Sequence, residues 1–328
     1  MKKLIAFLLA LTLLATLPLL AGCQKVDKEL PIRIWTLNGT TGFGMAQLID
    51  ADTKGEAALN YEFTVETSAP NVQAALINGT ADIAALPTNA ASALYNKTEG
   101  GVVLLALNTR GVLYLVVNTA KVTAPTSLAD LSGKTVYVPA TNPTFITEAL
   151  IDKAAVTNVT LDSTTYAEPA ALRDAVASGL VDYAVLPEPM VTIATTKATQ
   201  ANQGVTLSAA LDLTAEWDKH FTPGSLVQGC IVARKAFVEE HPNEIKQFLE
   251  EYEASINFVV ENPANASEMI KTAGIFEQAP VAAKAIPKCN FCYIDGQEMK
   301  TAMETFLAAM PENSIGGALP AEDFYYGA

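Results

Sequence analysis

Short apolar runs alternate with amphipathic segments along the first two thirds of the chain. Apolar runs of strand length occur at 32–36, 61–66, 82–86, 102–107, 113–118, 135–138, 181–186 and 205–211. Segments with helical periodicity lie between most of them, at 43–51, 72–77, 90–96, 145–155, 170–178 and 190–198. Strands that alternate with helices in this way predict parallel or mixed sheets covered by helices.

The last third of the chain has a different pattern. One more strand is predicted at 225–233, and from Arg234 onward the pattern is helical. A long amphipathic helix is expected at 242–261 and another at 297–309. These helices have no sheet of their own, so we expect them to pack back on the first sheet.

The chain also repeats itself at an interval of 100 residues. Five residues recur at this offset: Gly79, Asp82, Ala84, Leu86 and Pro87 return as Gly179, Asp182, Ala184, Leu186 and Pro187. A second echo relates 32–50 to 134–152. Each copy of the first repeat predicts a helix that stops at glycine, a buried strand and a new helix after proline. Two such units predict two α/β lobes that face a cleft, where a small ligand can bind.

The predicted domain organisation follows from these patterns. We expect a signal peptide at 1–22, a tether at 23–30, a first lobe at 31–113 plus 222–328, and a second lobe at 114–221. The chain would cross between the lobes twice, near 109–118 and 211–225, and these crossings would form a hinge.

The N-terminus has the pattern of a sorting signal. Lys2 and Lys3 precede an almost continuous apolar stretch at 4–20, which ends in small residues and Cys23. A membrane-spanning helix is the alternative, but the small residues favour a cleaved signal. The segment Leu20-Ala21-Gly22-Cys23 resembles the bacterial lipobox, which implies lipidation of Cys23. The protein would then be extracytoplasmic and attached to the bacterial membrane only by its lipid.

Charge and residue types exclude several function classes. The formal net charge of −14 argues against nucleic acid and anionic lipid surfaces as partners. The two histidines, His220 and His241, lie in no metal or triad motif, so we expect no enzyme activity, no cofactor and no metal site. Cys230 is expected to be a buried thiol. Cys289 and Cys292 are expected to be two packed thiols or one local disulfide rather than a redox pair.

Candidate ligand contacts lie where the predicted strands end and helices begin. Asparagine and threonine cap such helices, whose free N–H groups also bind anions or other acceptors. Alternatively, the residues of each turn could do no more than cap the helix that follows them. The predicted ligand-binding residues are Trp35, Asn38, Thr40, Thr41, Thr88, Asn89, Arg110, Tyr137, Thr141, Asn142, Glu188 and Gln228.

Four of these residues suggest particular chemistry. Trp35 and Tyr137 occupy equivalent places in the two units and could sandwich a flat ring. Arg110 is either a hinge residue exposed to solvent or a clamp for a carboxylate. Glu188 could accept a hydrogen bond from a ligand N–H, or could only complement the dipole of the helix that it precedes.

In these motifs the chain resembles the substrate-binding lipoproteins of ABC importers, and more narrowly the nitrate/sulfonate/thiamine-precursor family (periplasmic binding protein type 2). The resemblance extends from about residue 32 to about residue 306. It rests on the lipobox and on four segments: Asp82–Asn89, Leu94–Lys97, Gly133–Pro139 and Pro187–Pro189.

This resemblance implies a monomeric, two-lobed clamshell, each lobe a mixed sheet flanked by helices. The lobes would close on a small solute and deliver it to the transmembrane subunits of the permease. We expect a polar organic solute, planar or anionic. A heteroaromatic vitamin precursor is favoured over an alkylsulfonate, because Arg110 is the one candidate cation. The alternatives are a ligand-sensing surface lipoprotein and an enzyme of the same fold that resembles the thiamine-pyrimidine synthases.

Overall fold

The computed structural model describes residues 26–328, so the signal peptide and Cys23 lie outside the described residues. The β-strands are β1 (Pro31–Leu37), β2 (Asn60–Glu66), β3 (Ile83–Pro87), β4 (Val102–Arg110), β5 (Leu113–Asn118), β6 (Thr135–Tyr137), β7 (Thr160–Asp162), β8 (Tyr183–Pro187), β9 (Leu207–Asp212), β10 (Val227–Arg234) and β11 (Phe291–Ile294). The α-helices are α1 (Thr40–Phe43), α2 (Ala46–Thr53), α3 (Ala69–Asn78), α4 (Thr88–Lys97), α5 (Asn142–Lys153), α6 (Pro169–Ala177), α7 (Met190–Ala201), α8 (Leu213–His220), α9 (Lys235–Glu240), α10 (Pro242–Glu261), α11 (Pro263–Thr272), α12 (Ala279–Ala285) and α13 (Gly296–Ala308). No helix within 26–328 has both the length and the apolar character needed to cross a bilayer.

The strands form two mixed sheets that share one topology. The first sheet has the order β11-β4-β10-β3-β1-β2, and the second has the order β7-β6-β8-β5-β9. In the first sheet β2, β1 and β3 are parallel, and β10 runs antiparallel between β3 and β4. In the second sheet β7, β6 and β8 are parallel, and β5 runs antiparallel between β8 and β9. The predicted fold class, a clamshell of two mixed α/β sheets, is confirmed.

The sequence repeat corresponds to equivalent places in the two sheets. Gly79 and Gly179 both adopt a positive φ, 77° and 71°, at the turn that leads to β3 and to β8. The carbonyl of Asp82 accepts the N–H of Arg234, and the carbonyl of Asp182 accepts the N–H of Asn118. The repeated segment is therefore the entry to the third strand of each sheet, where the chain is clamped by the antiparallel strand beside it.

Two crossings join the sheets, as the patterns suggested. The first is only two residues long and leads from β4 to β5. A Cβ on its Gly111 would lie 2.2 Å from Oγ1 of Thr214 and 2.5 Å from Cδ2 of Leu226, so the two crossings are in close contact. The second contains α8, which the sequence patterns missed. Asp212 caps α8 by accepting the N–H of Thr214, and Trp217 is fully buried.

Hydrophobic packing differs between the two flanks of the molecule. One continuous cluster includes residues of both sheets, and Trp217, Leu226 and Phe306 belong to it between the lobes. The opposite faces have separate clusters: α2 and α10 cover the first sheet, and α6 and α7 cover the second. The flank at Trp217 is thus packed by the large cluster, whereas on the other flank a small cluster of Val112, Ala285 and Cys289 lies beside the first crossing.

The expectation that the C-terminal helices contribute no strand was wrong. β11 pairs with β4 at the edge of the first sheet. It is only four residues long and follows a proline-containing turn, so it has too few positions to show a period of two. Near the C-terminus, the N–H of Tyr326 donates to the carbonyl of Leu104, which ties the end of the chain to β4.

Asp82 is the charged centre of the first lobe. It is 1% exposed, and its carboxylate accepts hydrogen bonds from the guanidinium groups of Arg33 and Arg234 at 2.6–2.8 Å. Burial alone would raise the pKa of Asp82, but these bonds outweigh burial and hold the pKa below its ordinary value. The equivalent Asp182 is partly buried and is paired with one cation, Lys121, at 3.6 Å between Nζ and Oδ1.

We therefore predict that Asp82→Ala destabilises the protein by about 3 kcal/mol, because the N–H of Arg33 and the partly exposed guanidinium groups of Arg33 and Arg234 lose the buried carboxylate that they share. The control Asp182→Ala should cost less than about 1 kcal/mol. Urea unfolding of the two variants measures the difference. Since the folded pKa of Asp82 is lowered, its contribution should be complete above about pH 4 and should be lost as the pH falls through the folded pKa. Equal losses in the two variants would contradict this account.

Candidate functional site

The predicted ligand-binding residues lie along the facing edges of the two sheets. β1 and β3 end at the same edge of the first sheet at which β4 ends at Arg110. β6 and β8 end at the edge of the second sheet at which β5 begins at Leu113. Because two residues separate β4 from β5, these edges face each other across a cleft. The structure thus brings the residues together, and whether they contact a solute stays a prediction.

The turns after β1 and β6 share an unusual backbone. Gly39 precedes α1 with φ 80° and ψ −160°, and Thr141 precedes α5 with φ 67° and ψ −127°. The first conformation belongs to a region that is essentially restricted to glycine, and the second borders it. Such strain clusters at functional sites when the surrounding structure enforces it. In the second turn, Oδ1 of Asn142 is buried and has no hydrogen-bond partner within the described part of the chain.

The turns after β3 and β8 hold side chains that are already engaged. Thr88 is buried, and its hydroxyl donates to the carbonyl of Val227 at 2.7 Å. Glu188, its counterpart, is 1% exposed and accepts the N–H of Thr192 at 3.1 Å and its hydroxyl at 3.0 Å. Burial raises the pKa of Glu188, and the hydrogen bonds from Thr192 only partly oppose it. Both residues therefore fasten the start of a helix, which is the local role considered for Glu188.

Arg110 and Gln228 lie at the hinge. Oε1 of Gln228 accepts the N–H of Val112 at 2.7 Å, which joins β10 to the first crossing. The guanidinium of Arg110 lies 3.8 Å from the carboxylate of Glu298 on α13. Both groups line a cavity of about 300 Å³ that Asp218 also borders. In this conformation the Arg110 guanidinium lies near acidic side chains beside the first crossing, and its role as a hinge residue or as a carboxylate clamp stays a prediction.

The two aromatic candidates have different surroundings. Trp35 is partly buried and packs on the large cluster that includes α3 and α4. Tyr137 packs on the cluster beneath α6 and α7, and its ring contacts that of Tyr166 at 5.7 Å between centroids. The ring partner of Tyr137 thus comes from its own lobe.

The remaining candidates surround these turns. Asn38 is exposed, and its N–H donates to the carbonyl of Glu66 at 2.8 Å. The carbonyl of Thr41 accepts from Nδ2 of Asn108 at 3.3 Å. Nδ2 of Asn89 lies 3.5 Å from the carbonyl of Ser314. Thr40 is the first residue of α1.

A polar groove between the lobes was not predicted from the sequence. It has a volume of about 620 Å³ between α7 and α12. Its lining residues include Thr192, Thr195, Thr196, Thr199, Lys284 and Lys288. The hydroxyl of Thr192 donates to the Glu188 carboxylate. The other three threonine hydroxyls each donate to the backbone carbonyl four residues earlier in α7. The groove therefore has hydroxyl lone pairs on one wall and ammonium groups on the other.

Lys288 connects the lobes beside this groove. Its carbonyl accepts the hydroxyl of Tyr114 at 2.8 Å, and its ammonium lies 3.6 Å from Glu188. The sequence did not indicate this role of Lys288, because its two partners, Glu188 and Tyr114, lie far earlier in the chain. The neighbouring thiols of Cys289 and Cys292 are free. Within 26–328, no group of three His, Cys, Asp or Glu side chains could hold a metal ion.

The family of the chain is shown by sequence. Residues 55–283 match the family described as ABC transporter, phosphonate, periplasmic substrate-binding protein. The chain belongs to this family, which implies an extracytoplasmic location, a small-molecule ligand and a permease partner. The predicted class, a substrate-binding protein of an ABC importer, is confirmed. The narrower nitrate/sulfonate/thiamine-precursor assignment stays a prediction. Among curated proteins, no sequence relative was found.

Solved structures agree with this assignment. An ABC transporter from Parabacteroides distasonis is 25% identical, with a TM-score of 0.76 over 91% of this chain and 99% of that one. The periplasmic aliphatic sulphonate binding protein SsuA from Escherichia coli is 15% identical, with a TM-score of 0.69 over 90% and 92%. The alkanesulfonate-binding protein SsuA from Xanthomonas axonopodis pv. citri, bound to MOPS, is 13% identical, with a TM-score of 0.58 over 90% and 96%. The last two likenesses show the fold alone.

The turn at Gly39 gives a direct test of the backbone that borders the cleft. A Cβ at this position would meet no atom within 4 Å, so Gly39→Ala changes only the cost of the positive φ. We expect a loss of about 1–2 kcal/mol in the free energy of unfolding. Chemical denaturation of Gly39→Ala beside the control Thr40→Ala measures it. An unchanged stability would show that this turn relaxes freely.

Proposed function

We propose that the chain captures a small polar solute, planar or anionic, between the facing edges of its two sheets and closes around it before delivery to the permease. The paired turns at Gly39 and Thr141 carry this proposal. Both place the start of a helix at the cleft with the same rare backbone, although one turn has no glycine to relieve the strain. Free N–H groups at such helix starts are suited to acceptor atoms of a solute.

The hinge supports closure as the capture step. The lobes are joined by two short crossings in mutual contact, and one flank is sealed by Trp217, Leu226 and Phe306. The other flank has the groove between α7 and α12 and a smaller apolar cluster at Val112, Ala285 and Cys289. A joint that is packed more heavily on one side than on the other favours rotation of the lobes about the more heavily packed side.

The class of solute follows from the polar groups at the cleft. The family description names phosphonates, and the two SsuA proteins are named for sulfonates, so anions are known solutes of similar proteins. In this chain Lys288 supplies a cationic group beside the cleft in addition to Arg110. The aromatic side chains Trp35 and Tyr137 support a planar solute.

A thermal-shift screen combined with X-ray scattering tests the proposed function. The probes are pyrimidines, flavins, sulfonates, phosphonates, nitrate and amino acids, added to the domain that begins after Cys23. A solute at about a hundred times its dissociation constant should add about 2.7 kcal/mol of stability. The same solute should reduce the radius of gyration. A solute that stabilises the protein at one site per chain without any compaction would contradict capture by closure.

We also propose that Cys23 carries a lipid anchor, since the lipobox precedes the tether. The wild-type chain expressed in a bacterial host should incorporate an alkyne-labelled fatty acid and sediment with membranes. Cys23→Ser should abolish both, because the thiol is the acceptor for the lipid. The control Cys230→Ser should retain the label. Labelling of Cys23→Ser at the wild-type level would disprove the anchor.

A further inference from the structure

Four side chains of the second lobe form an apolar surface at the cleft. Tyr114 is the second residue of β5, Tyr137 is the last residue of β6, Tyr166 follows β7, and Met190 is the first residue of α7. All four are partly exposed, and all pack on the hydrophobic cluster beneath α6 and α7. They come from the cleft ends of four elements of one lobe, and the rings of Tyr137 and Tyr166 are in contact; this set is called the wall.

The Tyr166 ring is held in place by its loop. Its plane is inclined at 63° to that of Tyr137, the edge-to-face arrangement that aromatic pairs favour. Asp162 accepts the N–H groups of Thr164 and Thr165 at 3.0 and 2.9 Å, together with both hydroxyls. These bonds, those from Thr165 foremost, lower the pKa of Asp162 to about 2, so the loop keeps its anchor at neutral pH.

The same loop is tied to the strained turn. Ala140 directly precedes Thr141, and Ala167 directly follows Tyr166. The N–H of Ala140 donates to the carbonyl of Ala167 at 2.9 Å. The aromatic wall and the N-terminus of α5 therefore form a single unit on the second lobe.

A partly buried cation lies beside this wall. The side chain of Arg173 on α6 is 16% exposed, and its Nη1 lies 3.6 Å from Sδ of Met190. Asp174 accepts from Nε and Nη2 of Arg173, and Nζ of Lys197 also donates to it. These two cations lower the pKa of Asp174 to about 2, so it stays ionised. Two cations and one carboxylate leave one net positive charge, and Nη1 is the guanidinium nitrogen that Asp174 does not occupy.

We propose that this wall and Arg173 bind a flat aromatic or heteroaromatic ring that carries an acidic group. The ring packs against Tyr137, Tyr166 and Met190, and the acidic group accepts from Nη1 of Arg173. An acid is favoured over a neutral ring because the local charge is positive on a chain whose net charge is −14. An aromatic ring is favoured over a saturated one because its edge and face complement those of the two tyrosines. This inference rests on the proposed function, since it names the solute class of that cleft.

The test measures calorimetric affinities for matched sets of probes. Benzoate, nicotinate and pyrimidine carboxylates are compared with their amides, which lack the charge, and with cyclohexanecarboxylate, which lacks the aromatic ring. We expect at least one aromatic acid to bind about tenfold more tightly than its amide and than cyclohexanecarboxylate. If no aromatic acid exceeds its matched amide and the saturated acid, the proposal is wrong.

Variants assign the two contributions. Arg173→Gln should weaken the aromatic acid about tenfold and reduce it to the level of its amide. Tyr166→Leu should weaken the aromatic acid about fivefold and leave the saturated acid unchanged. The comparison variant Lys197→Gln lowers the local charge by the same amount but leaves Nη1 of Arg173 in place, so it should weaken the aromatic acid less than Arg173→Gln does. Thermal unfolding of each variant checks that the fold is retained.

Failure of this inference can be told apart from failure of the proposed function. A phosphonate or an alkylsulfonate that compacts the protein equally well in wild type and in Arg173→Gln would support capture by closure. The same result would contradict the proposal that the solute is an aromatic acid bound by Arg173. Compaction by an aromatic acid that is lost in Arg173→Gln would support both.

Discussion

The return of one strand, β10, to the first sheet after the whole second lobe holds the molecule together. β10 completes the first sheet between β3 and β4, although it follows the whole second lobe in sequence, and β5 completes the second sheet between β8 and β9. Each is hydrogen-bonded on both sides. The first lobe can therefore not form its full sheet without the return of the chain from the second, whereas all strands of the second sheet lie between Leu113 and Asp212. In the described part of the chain the two sheets are joined by two short crossings, so the proposed closure would be a rotation of the lobes about them.

That arrangement also explains why the site residues come in pairs. In the first sheet, the strands that precede α1 and α4 both end at the cleft. In the second sheet, the strands that precede α5 and α7 also both end at the cleft. A residue of the first unit thus has a counterpart across the cleft, as Gly39 has Thr141 and Thr88 has Glu188. The pairs have diverged: the Thr88 hydroxyl donates to a backbone carbonyl, whereas the Glu188 carboxylate needs Thr192 and Lys288 to offset its burial.

The sequence predicted the parts of this structure that local pattern controls. The repeat around Asp82 and Asp182, together with the alternation of strands and helices, was sufficient to predict two equivalent sheets. α8 was missed because a short helix in a crossing has too few turns to stand out, even though Trp217 depends on it for burial. Tyr166, Arg173 and Lys288 could not be identified as neighbours of the cleft. Tyr166 and Arg173 lie near the cleft because the chain passes it between β7 and the middle of α6. Lys288 lies there because α12 ends beside the first crossing. Conversely, the Thr88 hydroxyl, the Glu188 carboxylate and Oε1 of Gln228 already have hydrogen-bond partners within the protein, which no pattern of residue types reveals.

The threonine hydroxyls of α7 have a consequence for the energy of opening and closing. Their protons already donate to Glu188 or to backbone carbonyls. When Lys284 and Lys288 approach, the threonine wall therefore presents oxygen lone pairs, rather than donors, to the ammonium groups. Each ammonium would exchange a water molecule for a hydroxyl oxygen, and such an exchange of hydrogen-bond partners changes the free energy little. Apart from the contacts of Lys288 with Tyr114 and Glu188, the threonine wall then favours neither the open nor the closed arrangement of the lobes. The balance between the two arrangements is left to the few contacts that a solute makes with both edges at once.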